Sequence, residues 1–150
     1  MNILSQRVKA TAGDLVANGN KAGKTFRSLS AFVQQDDVLM GNLTVRESLR
    51  YAAMLRLSSK IPLEEKMRRV DTIMEELGLA KSADTKVGIS GIVKGISGGE
   101  RKRLCIGIEL LTEPSVLFLD EPTTGKLNFF RALILNHSST LILTHYTDPS

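Results

Sequence analysis

Val116-Leu117-Phe118-Leu119-Asp120-Glu121-Pro122-Thr123-Thr124-Gly125 is the stretch that decides how this chain is read. Four consecutive apolar residues without alternation are the pattern of a central parallel strand covered on both faces. The run breaks onto two adjacent carboxylates, Asp120 and Glu121. Such a pair is costly to bury and rare without a purpose. Ligands of open α/β sheets gather at the carboxyl ends of strands, where two acidic side chains suit a Mg²⁺-nucleotide. Asp120 would hold the metal through its water shell, and Glu121 would orient or deprotonate an attacking water. The plainer reading of the pair is an N-cap for a following turn.

Upstream, Leu104, Ile108 and Leu111 keep helical spacing and stop before Pro114. That helix opens on Gly95-Ile96-Ser97-Gly98-Gly99-Glu100. Two glycines let backbone N–H groups approach a ligand closely, and a helix N-terminus favours anions. Ser97 with Glu100 also has the form of an ordinary capping box. Thr44-Val45-Arg46-Glu47 has the same form, followed by Leu49, Ala52, Ala53 and Leu57 at helical spacing. Pro62 suits the first turn of a further helix through Met67, Val70, Met74 and Leu77, with Gly78 placed to end it. A helical stretch of this size between two strand-bearing parts predicts an inserted subdomain. Before it, Ser30-Ala31-Phe32-Val33 reads as a strand entering Gln34-Gln35-Asp36-Asp37, and Gly13 to Gly19 as a short strand entering an Asn18-Gly19 turn. Residues 1–8 read as helix, with Ile3, Leu4 and Val8 as its apolar positions. Strand, helix and strand together predict an α/β sheet with an inserted helical subdomain.

Composition sets the outer bounds. Apolar residues make up 42% of the 150 and charged residues 24%, which is ordinary globular usage. No apolar run approaches the ~20 residues of a membrane helix, and the first residues lack the layout of a signal peptide. The single cysteine, Cys105, excludes an intrachain disulfide and predicts a reducing, intracellular compartment. A net charge of +4 is mild, and the one dense basic cluster, Arg101-Lys102-Arg103, reads as a solvated helix face. Nucleic acid is not expected as a partner.

Taken together, Val33-Gln34-Gln35-Asp36-Asp37, Gly95-Ile96-Ser97-Gly98-Gly99-Glu100-Arg101-Lys102-Arg103 and the stretch 116–125 resemble an ABC transporter nucleotide-binding domain. Order and spacing fit, with 62 residues from Gln35 to Ser97 and 23 more to Asp120. The wording Gly-Glu-Arg-Lys-Arg and Asp-Glu-Pro-Thr-Thr-Gly resembles the G subfamily, the White and multidrug half-transporters. The resemblance covers residues 1–125 and implies a partial P-loop NTPase (ABC ATPase) fold that uses ATP and Mg²⁺. It implies that Gln35 is the Q-loop glutamine and a Mg²⁺ ligand, with Gln34 the lesser candidate. Ser97, Gly98, Gly99 and Glu100 would be the signature, contacting ATP held by a second nucleotide-binding domain. Asp120 would be the Walker B aspartate and metal ligand, and Glu121 the catalytic carboxylate. Partners would be that second domain and a transmembrane domain, with this chain on the cytoplasmic face of a membrane. The function implied is ATP hydrolysis coupled to export of lipids, sterols or drug-like molecules.

Two places depart from the pattern. No phosphate-binding loop is found, and residues 1–5 resemble the helix that follows a Walker A lysine. The chain is therefore expected to begin after that loop, to be inactive alone, and to be poorly soluble because the 116–119 strand loses a sheet neighbour. Gly19-Asn20-Lys21-Ala22-Gly23-Lys24-Thr25 is one residue short of G-x-x-x-x-G-K-[ST] and falls where the family has a hairpin turn. After Gly125, residues 126–150 diverge from the family. Thr140-Leu141-Ile142-Leu143-Thr144-His145 imitates a last strand ending on the switch histidine, yet only 24 residues separate Glu121 from His145. His145 is thus weighed evenly as a catalytic residue or a tail histidine.

Overall fold

The computed structural model describes residues 16–17, 20–21, 26, 29–33, 39–89, 92–120 and 141–145. The expected helix over 1–8, Gln34, Gln35, Glu121 and the tail outside 141–145 lie outside the described residues. The chain divides into two compact units, Met1–Gln35 with Pro114–Ser150, and Asp36–Glu113.

In the first unit, β1 (Val16–Ala17) and β2 (Asn20–Lys21) form an antiparallel pair, Val16 opposite Lys21 and Ala17 opposite Asn20. Asn20 and Lys21 of the near-match to a phosphate loop are therefore strand. The remaining strands, β3 (Ser30–Val33), β4 (Val116–Asp120) and β5 (Leu141–His145), make a parallel sheet in the order β3-β4-β5. Ala31, Phe32 and Val33 are buried in succession, as are Leu117, Phe118 and Leu119. Successive strand residues point to opposite faces, so both faces of β3 and β4 are withdrawn from water. That is the environment the unalternating apolar run predicts. The expected loss of a neighbour is corrected: β4 is paired along both edges, to β3 and to β5.

The second unit is mainly helical. Thr44 caps α1 (Val45–Arg56): its Oγ1 accepts from the Glu47 N–H at 3.1 Å, and Glu47 Oε2 accepts from the Thr44 N–H at 2.9 Å. Val45, Leu49 and Ala53 form its fully buried stripe, each four residues from the next. Pro62 is the N-cap of α2 (Leu63–Glu76), one residue earlier than its expected place in the first turn. Gly78, at φ +61°, follows the C-cap Leu77 in the left-handed conformation that ends helices. A 3₁₀ turn at Ala80–Ser82 follows.

Burial on α2 differs from the sequence pattern at one point. Lys66 is buried while Met67 is half-buried. The Lys66 ammonium donates to the Leu57 carbonyl at 3.1 Å, so its stem packs inward and its charge meets the C-terminal end of α1.

Helix α3 (Gly98–Leu110) turns Leu104, Ile106, Gly107 and Leu110 inward. Gly107 is where it meets the other two helices. A Cβ there would stand 2.9 Å from Leu77 Cδ1, 3.1 Å from Ile73 Cγ2 and 3.4 Å from Leu49 Cδ2. Gly107→Val should therefore destabilise the chain by about 3 kcal/mol through overpacking. Urea unfolding checks this; a loss below ~0.5 kcal/mol, within the range of surface substitutions, would contradict it.

Candidate functional site

The parallel sheet brings chemistry to one end. Asp120 closes β4 and His145 closes β5, and the two are Cα partners in register. Val33 closes β3 opposite Leu119; Gln34 and Gln35 follow it directly in sequence, as Glu121 follows Asp120. The ladder therefore sets Asp120 and His145 side by side at the carboxyl ends of neighbouring parallel strands, where α/β sheets meet their ligands. The tail strand expected from 140–145 is present as β5. Oxygen donors such as Asp120 and Gln35 are of the type that Mg²⁺ accepts.

The other candidate cluster lies at the start of α3. Ser97 is its N-cap: Ser97 Oγ accepts from the Glu100 N–H at 3.3 Å. Glu100 Oε2 in turn accepts from the Ser97 N–H at 2.8 Å and from the Ser97 hydroxyl at 2.7 Å. The capping box read from the sequence is thus formed. Ser97, Gly98 and Gly99 are exposed. Among the described residues a Cβ at Gly98 would meet nothing within 4 Å, and one at Gly99 the Arg103 Nη1 at 3.6 Å. Nothing among the described residues requires glycine at either position. Glycine there keeps the backbone N–H end of the helix open to an approaching anion.

Glu100 has a second attachment that the sequence did not disclose. The Ser82 hydroxyl, at the end of the 3₁₀ turn, donates to Glu100 Oε1. This bond, the Ser97 hydroxyl and the Ser97 N–H together hold the Glu100 carboxyl down to about 2, against an ordinary 4.5. A depressed carboxyl contributes stability that is complete above about pH 4.5 and is lost as pH falls toward 2. Wild type should therefore lose on the order of 2 kcal/mol more than Glu100→Gln between pH 5 and pH 2. Denaturant titrations at several pH values measure this, and parallel profiles for the two proteins would contradict it.

The basic cluster is only partly the solvated face expected. Arg101 Nη2 donates to the Val87 carbonyl at 2.9 Å and the Gly88 carbonyl at 3.2 Å, tying the segment before Ser97 to α3. Arg101, Lys102 and Arg103 are all half-buried. Among the described residues no cluster of His, Cys, Asp and Glu is fit to hold a metal, and no helix is long and apolar enough to cross a membrane.

The ABC transporter family model matches residues 1–124. The broad substrate specificity ATP-binding cassette transporter ABCG2 of Mus musculus is 55% identical over 117 residues, covering 78% of this chain and 18% of that protein. ABC transporter G family member 22 of Arabidopsis thaliana is 44% identical over 158 aligned positions, covering 100% of this chain and 21% of that protein. The chain thus spans about a fifth of the length of these curated relatives. Among solved structures, cbiO1 from Clostridium perfringens, part of the ABC transporter complex cbiONQ, superposes with a TM-score of 0.74. It is 22% identical, with 97% of this chain and 61% of that chain covered, a likeness of fold. With its α/β P-loop NTPase fold, its inserted helical subdomain and its G-family relatives, the chain belongs to the G subfamily of the ABC transporters.

Proposed function

We propose that this chain serves as the ATP-binding and ATP-hydrolysing domain of a G-subfamily transporter that exports lipid, sterol or drug-like molecules. The observation that carries the reading is the exposed Ser97-Gly98-Gly99 end of α3, whose glycines have no packing reason among the described residues. In this reading the end faces ATP held by a second nucleotide-binding domain, as the signature of the family does. Asp120 and Gln35 hold Mg²⁺, Glu121 orients the attacking water, and His145 stands at the sheet end to meet the γ-phosphate. When bound, Mg²⁺ supplies neutralisation of phosphate charge; the chain's residues supply position and polarity. Residues 1–125 act as the nucleotide-binding domain, with 44–82 as its helical subdomain and 126–150 as a divergent tail. The domain works at the cytoplasmic face of a membrane through a transmembrane partner.

We also propose that residues 1–150 alone bind Mg-ATP weakly. The string G-x-x-x-x-G-K-[ST] does not occur in them, and the nearest match has Asn20 and Lys21 in a strand. Micromolar affinity corresponds to about 8 kcal/mol. A helix N-terminus supplies roughly 0.3–1 kcal/mol, or ~2 when partly buried. Calorimetric titration of the 150-residue chain with Mg-ATP should therefore show no saturation in the micromolar range. Saturable micromolar binding that survives Asp120→Asn would show that other residues hold the nucleotide.

A further inference from the structure

We infer that Ser82 and Glu100 form a positioning pair that sets the signature serine, Ser97, from the opposite side to the nucleotide. The inference rests on the reading that Ser97 faces ATP. Three features support it. First, the capping box uses only Glu100 Oε2. Glu100 Oε1 is taken by Ser82, which lies 18 residues away on a separate element. A capping glutamate held by one oxygen keeps some rotamer freedom. The second attachment removes that freedom.

Second, Ser82 is itself anchored. Its N–H donates to the Leu79 carbonyl at 3.0 Å, and its carbonyl accepts from the Thr85 N–H at 3.0 Å. The adjoining Ala83 and Thr85 carbonyls accept from the Arg46 and Val45 N–H groups, at 2.9 and 3.1 Å, at the start of α1. Hydrogen bonds therefore run without a break from the N-terminus of α1, through 82–85 and Glu100, to the hydroxyl of Ser97.

Third, the carboxylate is a poor direct ligand for a phosphate, because like charges repel. Its two oxygens already have hydrogen-bond donors within the chain. What a carboxylate supplies here is two acceptors at a fixed separation. Glu100, expected from the sequence as an ATP contact, is on this account a positioning residue. Ser97 is the group it places.

The test uses the full-length gene product in lipid vesicles, with ATP turnover and thermal midpoint measured together. Ser82→Ala should lower kcat about fivefold, as expected for one misplaced hydrogen bond, with KM for ATP within about twofold. Ser82→Thr, which keeps the hydroxyl, should restore kcat. In a Glu100→Gln background, Ser82→Ala should have little further effect, because the two act as one unit. A Ser82→Ala protein with a shifted thermal midpoint and unchanged kcat would overturn the inference, since a merely structural role does that. Ser97→Ala separates the layers. If it abolishes turnover while Ser82→Ala does not change it, only the positioning pair fails. If Ser97→Ala itself leaves turnover intact, the reading of the signature fails and the pair with it.

Discussion

Replacing Gly98 and Gly99 by alanine is expected to make the chain more stable and the transporter inactive. The stability gain should be about 0.5–1 kcal/mol, because glycine is the poorest helix former after proline and its unfolded chain has the most freedom to lose. Among the described residues nothing opposes the gain: a methyl at Gly98 meets no atom within 4 Å, and one at Gly99 meets the flexible end of Arg103 at 3.6 Å. For the full-length gene product the sign reverses. In the proposed function two methyl groups would hold phosphate oxygens away from the first N–H groups of α3, and losing one such donor costs roughly 10²–10³-fold in turnover. Opposite signs are the diagnostic. Thermal unfolding of the chain and ATP turnover of the full-length product, on the same substitutions, supply both numbers. Reduced stability with normal turnover would mean that these glycines serve the fold and not a ligand.

The fold was legible in the sequence where physics is local. Four unalternating apolar residues at 116–119 required burial on both faces, and Leu117, Phe118 and Leu119 have it while Val116 is half-buried. Thr44 with Glu47 and Ser97 with Glu100 are three residues apart, and both pairs close as capping boxes. What the sequence withheld is non-local. No periodicity joins Ser82 to Glu100 across 18 residues, or Arg101 to the Val87 and Gly88 carbonyls. Lys66 entered the core against its charge because the C-terminal carbonyl of α1 waited there, a partner visible only once two helices are packed. His145 shows the same limit. Counting 24 residues from Glu121 made it doubtful. The sheet register then set it opposite Asp120. Strand pairing is decided by which segments cover each other, and sequence distance along a loop says little about it.

The candidate with the largest expected loss is Glu121. It follows directly on Asp120, the last residue of the central strand, where the sheet presents its carboxyl ends. In the proposed function it orients the water that attacks the γ-phosphate and takes its proton. Glutamine keeps the size and one acceptor but cannot take the proton, and positioned proton transfer is worth roughly 10²–10⁴-fold. Binding should survive, because the metal is assigned to Asp120 and Gln35. Asp120→Asn should lose affinity for Mg-ATP as well as turnover, which sets the two carboxylates apart. The most direct measurement is single-turnover hydrolysis of Mg-ATP by the full-length gene product in lipid vesicles, wild type against Glu121→Gln. The account predicts that the variant still retains ATP but cleaves it at least ~100-fold more slowly. Cleavage at the wild-type rate would contradict the assignment of this sheet end as the hydrolytic site.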